Sequence, residues 1–269
     1  EFRRVLFRSV DSSCNDGHMT RSLDGVAPGA TLGVGSLPHR SASAAVEFSV
    51  NNFDLPVVPR LPRRSGAESL ANQALVGVPG VEMGPYGTLA IDVARLDPEA
   101  SVTTDLLTDN FMGFRAFTEL APAMGVDGRT FKWQVVGPVT LGLTLLRAGA
   151  PAHLAFRVAT QAINEHVATL GSVLAGVLPH STQLIVFDEP LMVDLMSNDF
   201  PLAPDVVADM LSGVMASAQT FGVVGLHCCF EADWPSLLEA GPQVLSMPAT
   251  EAVVEVSGYL DRFMQNGGR

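Results

Sequence analysis

Residues 182–190 read TQLIVFDEP, a short unbroken apolar run that ends on two acids and a proline. Apolar and polar positions do not alternate along it, so both faces of the segment are buried. That is the pattern of a strand inside a parallel sheet. Helical periods lie on either side. Upstream, Pro151 opens a helix that runs to about Leu178, at a first-turn position where its missing N–H does no harm. Phe156, Ala159, Ile163, Val167, Leu170, Leu174 and Val177 form that helix's core stripe. Downstream, residues 205–221 repeat the pattern, with Val207, Met210, Leu211 and Val214 turned inward. A buried strand between helices marks repeated β-α units.

The same alternation extends in both directions. TFKWQVVG (130–137) reads as a strand before this one, VVGLHC (223–228) and QVLSM (243–247) as strands after it. A last helix spans 250–266 and stops at Gly267 and Gly268. Near the start, TLGVGSLP (31–38) reads as a strand ending at Ser36. A helix follows, with Ala42, Ala45, Val46, Val50 and Phe53 on one face. LPVVPRLP (55–62) is the second strand, bracketed by prolines that suit its ends. Residues 64–129 are less regular: helical over 65–76, a hairpin over 81–93, helical again over 103–124.

The count is about six β-α units, and a closed barrel of this type needs eight. The expected fold is therefore α/β, an incomplete (β/α)8 TIM-type barrel, with an open doubly wound sheet as the alternative. Strands are expected in the order one to six, with an exposed edge at strand six. The opening EFRRVLFRS resembles the translation of a sequencing adapter, so residues 1–18 are read as a non-native tail that includes Cys14. Met19 is then the natural start, and residues 19–269 form one domain, expected to be C-terminally truncated.

Composition bounds the function. The chain is 47% hydrophobic and 16% charged, with no apolar run long enough to span a bilayer. Its net charge of −12 argues against nucleic-acid or anionic-membrane partners. Three cysteines, two of them adjacent, make no disulfide framework, which points to the cytoplasm.

Polar residues gather where strands finish: Ser36 and His39, Arg60, Gln134, Asp188 and Glu189, His227 and Cys229. The carboxyl ends of parallel strands carry the sites of α/β folds. Each residue also has a plainer reading: Ser36 as a helix cap, Asp188 as a turn cap, Arg60 as a solvated edge. The ring, drawn from several strands, favours a small-molecule site.

GSLPH (35–39), GPVT (137–140), FDEP (187–190) and HCC (227–229) together resemble the C-terminal catalytic barrel of cobalamin-independent methionine synthases. That barrel belongs to a superfamily that includes uroporphyrinogen decarboxylase. The likeness spans roughly Gly33 to Ser246. It implies a methyltransferase that moves a methyl group from a folate to the thiol of homocysteine. It also implies zinc, held in part by His227 and Cys229, because coordination turns the substrate thiol into the nucleophilic thiolate. Ser36 would hold the amino-acid carboxylate and Asp188 its ammonium group. Cys228, one residue out of phase, would face the core.

The departures are equally specific. Pro248 stands where the family has a glutamate ligand, and Thr144 where it has a folate-stacking tryptophan. The family's last cysteine ligand and its acid-providing histidine have no counterpart in this chain. Two alternatives follow. One is a metal-free enzyme like uroporphyrinogen decarboxylase, with Arg60, Arg63 and Arg64 facing a polyanion. The other is a non-catalytic small-molecule binder that has lost the metal.

Overall fold

The computed structural model describes residues 29–84 and 88–269. The expectations for residues 1–18, Cys14 and Met19 lie outside the described residues. In chain order the elements are α1 (Ala42–Asn52), α2 (Leu70–Ala74), β1 (Val81–Met83), β2 (Leu89–Ile91), α3 (Met112–Leu120) and β3 (Thr130–Val136). There follow α4 (Pro138–Arg147), α5 (Ala152–Val177), β4 (Thr182–Asp188), α6 (Pro204–Ala218) and β5 (Gly222–His227). The last are α7 (Trp234–Glu239), β6 (Val244–Ser246), α8 (Ala252–Glu255) and α9 (Ser257–Gln265).

The centre is a parallel sheet in the order β3-β4-β5-β6. β1 and β2 pair separately as the antiparallel hairpin expected from 81–93. The first two expected strands pair only through isolated parallel bridges: Leu32 with Leu55, Ser36 with Arg60, and Val57 with Lys132. They extend the order so that the first segment lies beside the second and the second beside β3. Their ladders are broken for a chemical reason. Pro56 and Pro59 have no N–H to donate, so regular pairing cannot propagate through 55–60.

Alternation along the strands divides the two faces of the sheet. Phe131, Trp133, Val135, Ile185, Phe187, Val224, Leu226 and Cys228 lie in the large core shared with α3, α4, α5 and α6. Within it, Trp133 Nε1 donates to Gln183 Oε1 (2.8 Å), and Gln183 Nε2 donates to the Gly171 carbonyl of α5 (3.0 Å). The buried polar groups of Trp133 and Gln183 on this face are thus paired with each other and with α5. On the other face, Ala30, Leu32 and Leu55 meet Leu184, Val186, Val223 and Val244 in a second, smaller cluster. The first two segments therefore curl over the inner face of β4–β6. No pairing joins the first segment to β6 among the described residues.

The expected exposed edge at β6 is corrected. Arg269 N donates to the Gln243 carbonyl (3.0 Å), and Leu245 N donates to the Arg269 carbonyl (2.9 Å), the bonding pattern of a parallel neighbour. Gly267, at φ 88°, ends α9 in the left-handed conformation that returns the chain to this edge. The last helical stretch is also split, with α8 and α9 separated at Val256. No helix among the described residues is long and apolar enough to cross a membrane.

Candidate functional site

The carboxyl ends of the strands form one row. Val136 pairs with Asp188, Asp188 with His227, and His227 with Ser246, so their side chains share the inner face. One layer below, Gln134 pairs with Val186, and two residues further back Lys132 pairs with Leu184.

The second acid of FDEP does not face this row. Glu189 is fully buried and its carboxylate accepts the first free amides of α4, Val139 N at 2.9 Å and Thr140 N at 2.7 Å. An acid there answers both the unpaired N–H groups and the positive end of the helix. Thr140 Oγ1 returns the link by accepting Leu191 N (3.3 Å). The backbone is tied as well, with Gly137 N donating to Asp188 O and Glu189 N to His227 O, each at 2.8 Å. Gly137 must lack a side chain, because a Cβ would lie 2.1 Å from Glu189 Oε1. GPVT, FDEP and the end of β5 are therefore one joint. Burial pushes the Glu189 carboxyl up to about 7, against the opposing pull of the Thr140 and Val139 contacts.

Asp188 does face inward, and Arg60 faces it. The Arg60 guanidinium lies 3.8 Å from the Asp188 carboxylate, both residues being about 5% exposed or less. Arg60 reaches the inner face by a slip in pairing: between Leu32–Leu55 and Ser36–Arg60 the second segment gains one residue. Such a bulge re-aims the next side chain. Lys132 is buried beside them, with its ammonium donating to Val34 O (2.7 Å), Gln134 Oε1 (3.0 Å) and Gly33 O (3.3 Å). Gly35 admits the Gln134 amide, which would lie 2.7 Å from any Cβ at that position.

Burial sets the electrostatics. It raises the Asp188 carboxyl, against the opposing charges of Lys132, His227 and Arg60. It lowers Lys132 to about 8 and Arg60 to about 10, with Asp188 pulling each the other way. Asp188 Oδ1, Arg60 Nε and Gln134 Nε2 are all buried and without a hydrogen-bond partner.

The other expected residues fall as follows. Ser36 is exposed and touches the cluster through its bridge to Arg60, so its residue does not share the buried environment of Asp188. His227 lies in the row, with Nδ1 2.9 Å from Ser246 Oγ. Cys229 follows β5 and is half-buried, whereas Cys228 is buried in the outer core, as alternation requires. Burial pushes the Cys228 thiol up to about 11, which disfavours its thiolate. His39 packs its ring on Phe48, with centroids 5.1 Å apart. Arg64, read with Arg60 and Arg63 as facing a polyanion, bonds Glu68 (2.7 Å) and Asp109 (2.8 Å). Lys132 was not among the expected site residues. Its signal was a lysine two positions before Gln134 in an otherwise apolar strand, hence on the same face.

Among the described residues no group of three or more His, Cys, Asp or Glu side chains is arranged to hold a metal ion. A catalytic zinc takes three protein ligands and an open position. His227 and Cys229 alone fall short of that set, and Pro248 adds no donor. A separate cavity of about 270 Å³ lies against α4, lined by Leu143, Leu146, Arg147, Leu191, Asp194 and Phe200 among others. No protein-family model, curated protein or solved structure matches the chain.

Proposed function

We propose that this chain is a methionine-synthase-like methyltransferase, built on an incomplete (β/α)8-type barrel of the cytoplasm. Its acceptor is a thiol amino acid such as homocysteine and its donor a methylated folate. One observation carries the reading. The four segments of the resemblance meet at one site: Gly35 against the Gln134 amide, Glu189 on the amides of GPVT, and Asp188 beside Arg60 and next in register to His227.

The chemistry is compatible with that place. Two buried cations, Arg60 and Lys132, stand against one buried carboxylate that faces them, Asp188. A positive surplus favours ionisation of a substrate thiol. The sulfur lone pair then forms the S–CH3 bond as the methyl carbon–nitrogen bond breaks, and the donor nitrogen keeps that electron pair and takes up a proton. The cavity along α4 offers Leu143, Leu146 and Phe200 as apolar walls for a flat donor. No step is assigned to zinc, because the described donors do not complete a site for it.

A second reading, a small-molecule binder without the metal, is favoured by Arg60 standing beside Asp188, which the resemblance assigns to a substrate ammonium. Calorimetric titration of the full chain with L-homocysteine tests the shared premise. Saturable binding is expected, weakened about tenfold or more when L-homoserine replaces it, since a hydroxyl does not ionise in the pocket. Absence of heat with both amino acids contradicts the reading.

A further inference from the structure

We infer that Arg60 and Gln134 form a carboxylate subsite, in which one ligand oxygen pair accepts from Arg60 Nε and Gln134 Nε2. The resemblance assigns the carboxylate to Ser36. That residue is exposed, and the buried unpaired donors lie elsewhere.

Three features converge. First, the two donors are oriented. Lys132 donates to Gln134 Oε1, which fixes the amide and leaves Nε2 as the end with nothing to bond. The pairing slip at the second segment turns Arg60 to the same inner face. Second, the donors are neighbours. Arg60 N bonds Gly35 O at 3.0 Å, while the Gln134 amide packs on Gly35 where a side chain would stand. Third, the surroundings are unbalanced in charge. Lys132 spends its three donors on neutral oxygens, so its charge meets no anion by direct contact, and Asp188 stands against both cations. A buried donor without an acceptor is rare in folded proteins and calls for a partner. A carboxylate supplies two acceptor oxygens and one negative charge, matching a guanidinium N–H and an amide N–H. Asp188 Oδ1, the unpaired acceptor, would then take a donor from the same ligand. Carboxylate on one side and ammonium on the other describe an α-amino acid. That last identification rests on the functional reading above, whereas the carboxylate subsite does not.

The test uses the unaltered chain and the Arg60 Nε–H signal in a proton–nitrogen correlation spectrum, assigned through its loss in Arg60→Lys. Three probes are added at matched ionic strength: L-homocysteine, mercaptobutyrate, which lacks the ammonium group, and aminopropanethiol, which lacks the carboxylate. Mercaptobutyrate should shift the signal saturably and aminopropanethiol should leave it in place. In Gln134→Met the mercaptobutyrate affinity should fall about tenfold. A response to mercaptobutyrate but not to homocysteine would uphold the subsite and reject the amino-acid reading. No response to mercaptobutyrate, an equal response to aminopropanethiol, or unchanged affinity in Gln134→Met would overturn the subsite.

Discussion

Glu189→Ala should lower the free energy of unfolding by about 2–6 kcal/mol, because two buried N–H groups, each worth about 1–3 kcal/mol when orphaned, lose their acceptor together. The amides of Val139 and Thr140 sit at the start of α4, and both bond the Glu189 carboxylate within 2.9 Å. The loss would extend past one helix cap, because the joint also fixes the loop after β4 through Leu191 and Thr140. Urea unfolding of parent and variant measures it. Glu189→Gln separates shape from charge. The folded-state value of about 7 lies above the ordinary 4.5, so between those values the native state binds the proton more tightly than the unfolded chain. The group's contribution is full below about pH 4.5 and is lost as pH rises through about 7. The neutral glutamine carries no such dependence. Parent stability should therefore fall relative to Glu189→Gln across that window, by an amount on the order of 3 kcal/mol. A pH-independent difference would contradict the buried-acid account.

Asp188→Asn should cost about 3–5 kcal/mol, the usual effect of leaving a buried ion without its partner. Here Arg60 and Lys132 would face each other with no carboxylate between them, and burial already disfavours both charges. Arg60→Met should be comparably damaging, since it strips Asp188 of its nearest cation. Combining the two should cost clearly less than the sum, because the second change removes the charge that the first left stranded. Additive losses in thermal or urea unfolding would mean that the 3.8 Å contact carries no coupling.

What the sequence made legible follows from burial. β3, β4 and β5 are buried on both faces, so continuous apolar runs marked them, and α5 carries a long stripe beneath a proline start. The row Asp188–His227 was legible because each residue closes the apolar run of its strand at the carboxyl end. Other features have no local signature. The slip that turns Arg60 inward arises from pairing between two segments, and no single window of sequence contains it. Lys132 did carry a local signal, its place two residues before its acceptor Gln134, but its other two acceptors are backbone oxygens of the first segment, far away in sequence. Glu189 read as chemistry next to Asp188, yet it serves a helix fifty residues upstream. Ser36 was read at a strand end, where its bridge to Arg60 places it, and its exposure there has no local signature in the sequence. The pairing of Arg269 with β6 depends on α9 returning the chain, which periodicity does not encode.

The central claim, that this site moves a methyl group onto a thiol amino acid, is tested most directly by following an isotope-labelled methyl group. The full chain is incubated with labelled methyltetrahydrofolate and L-homocysteine, zinc salt being supplied so that metal is not limiting. Methionine is then read by mass spectrometry. The account predicts labelled methionine well above a protein-free control. Label at background, from protein shown to be folded by circular dichroism, would contradict it.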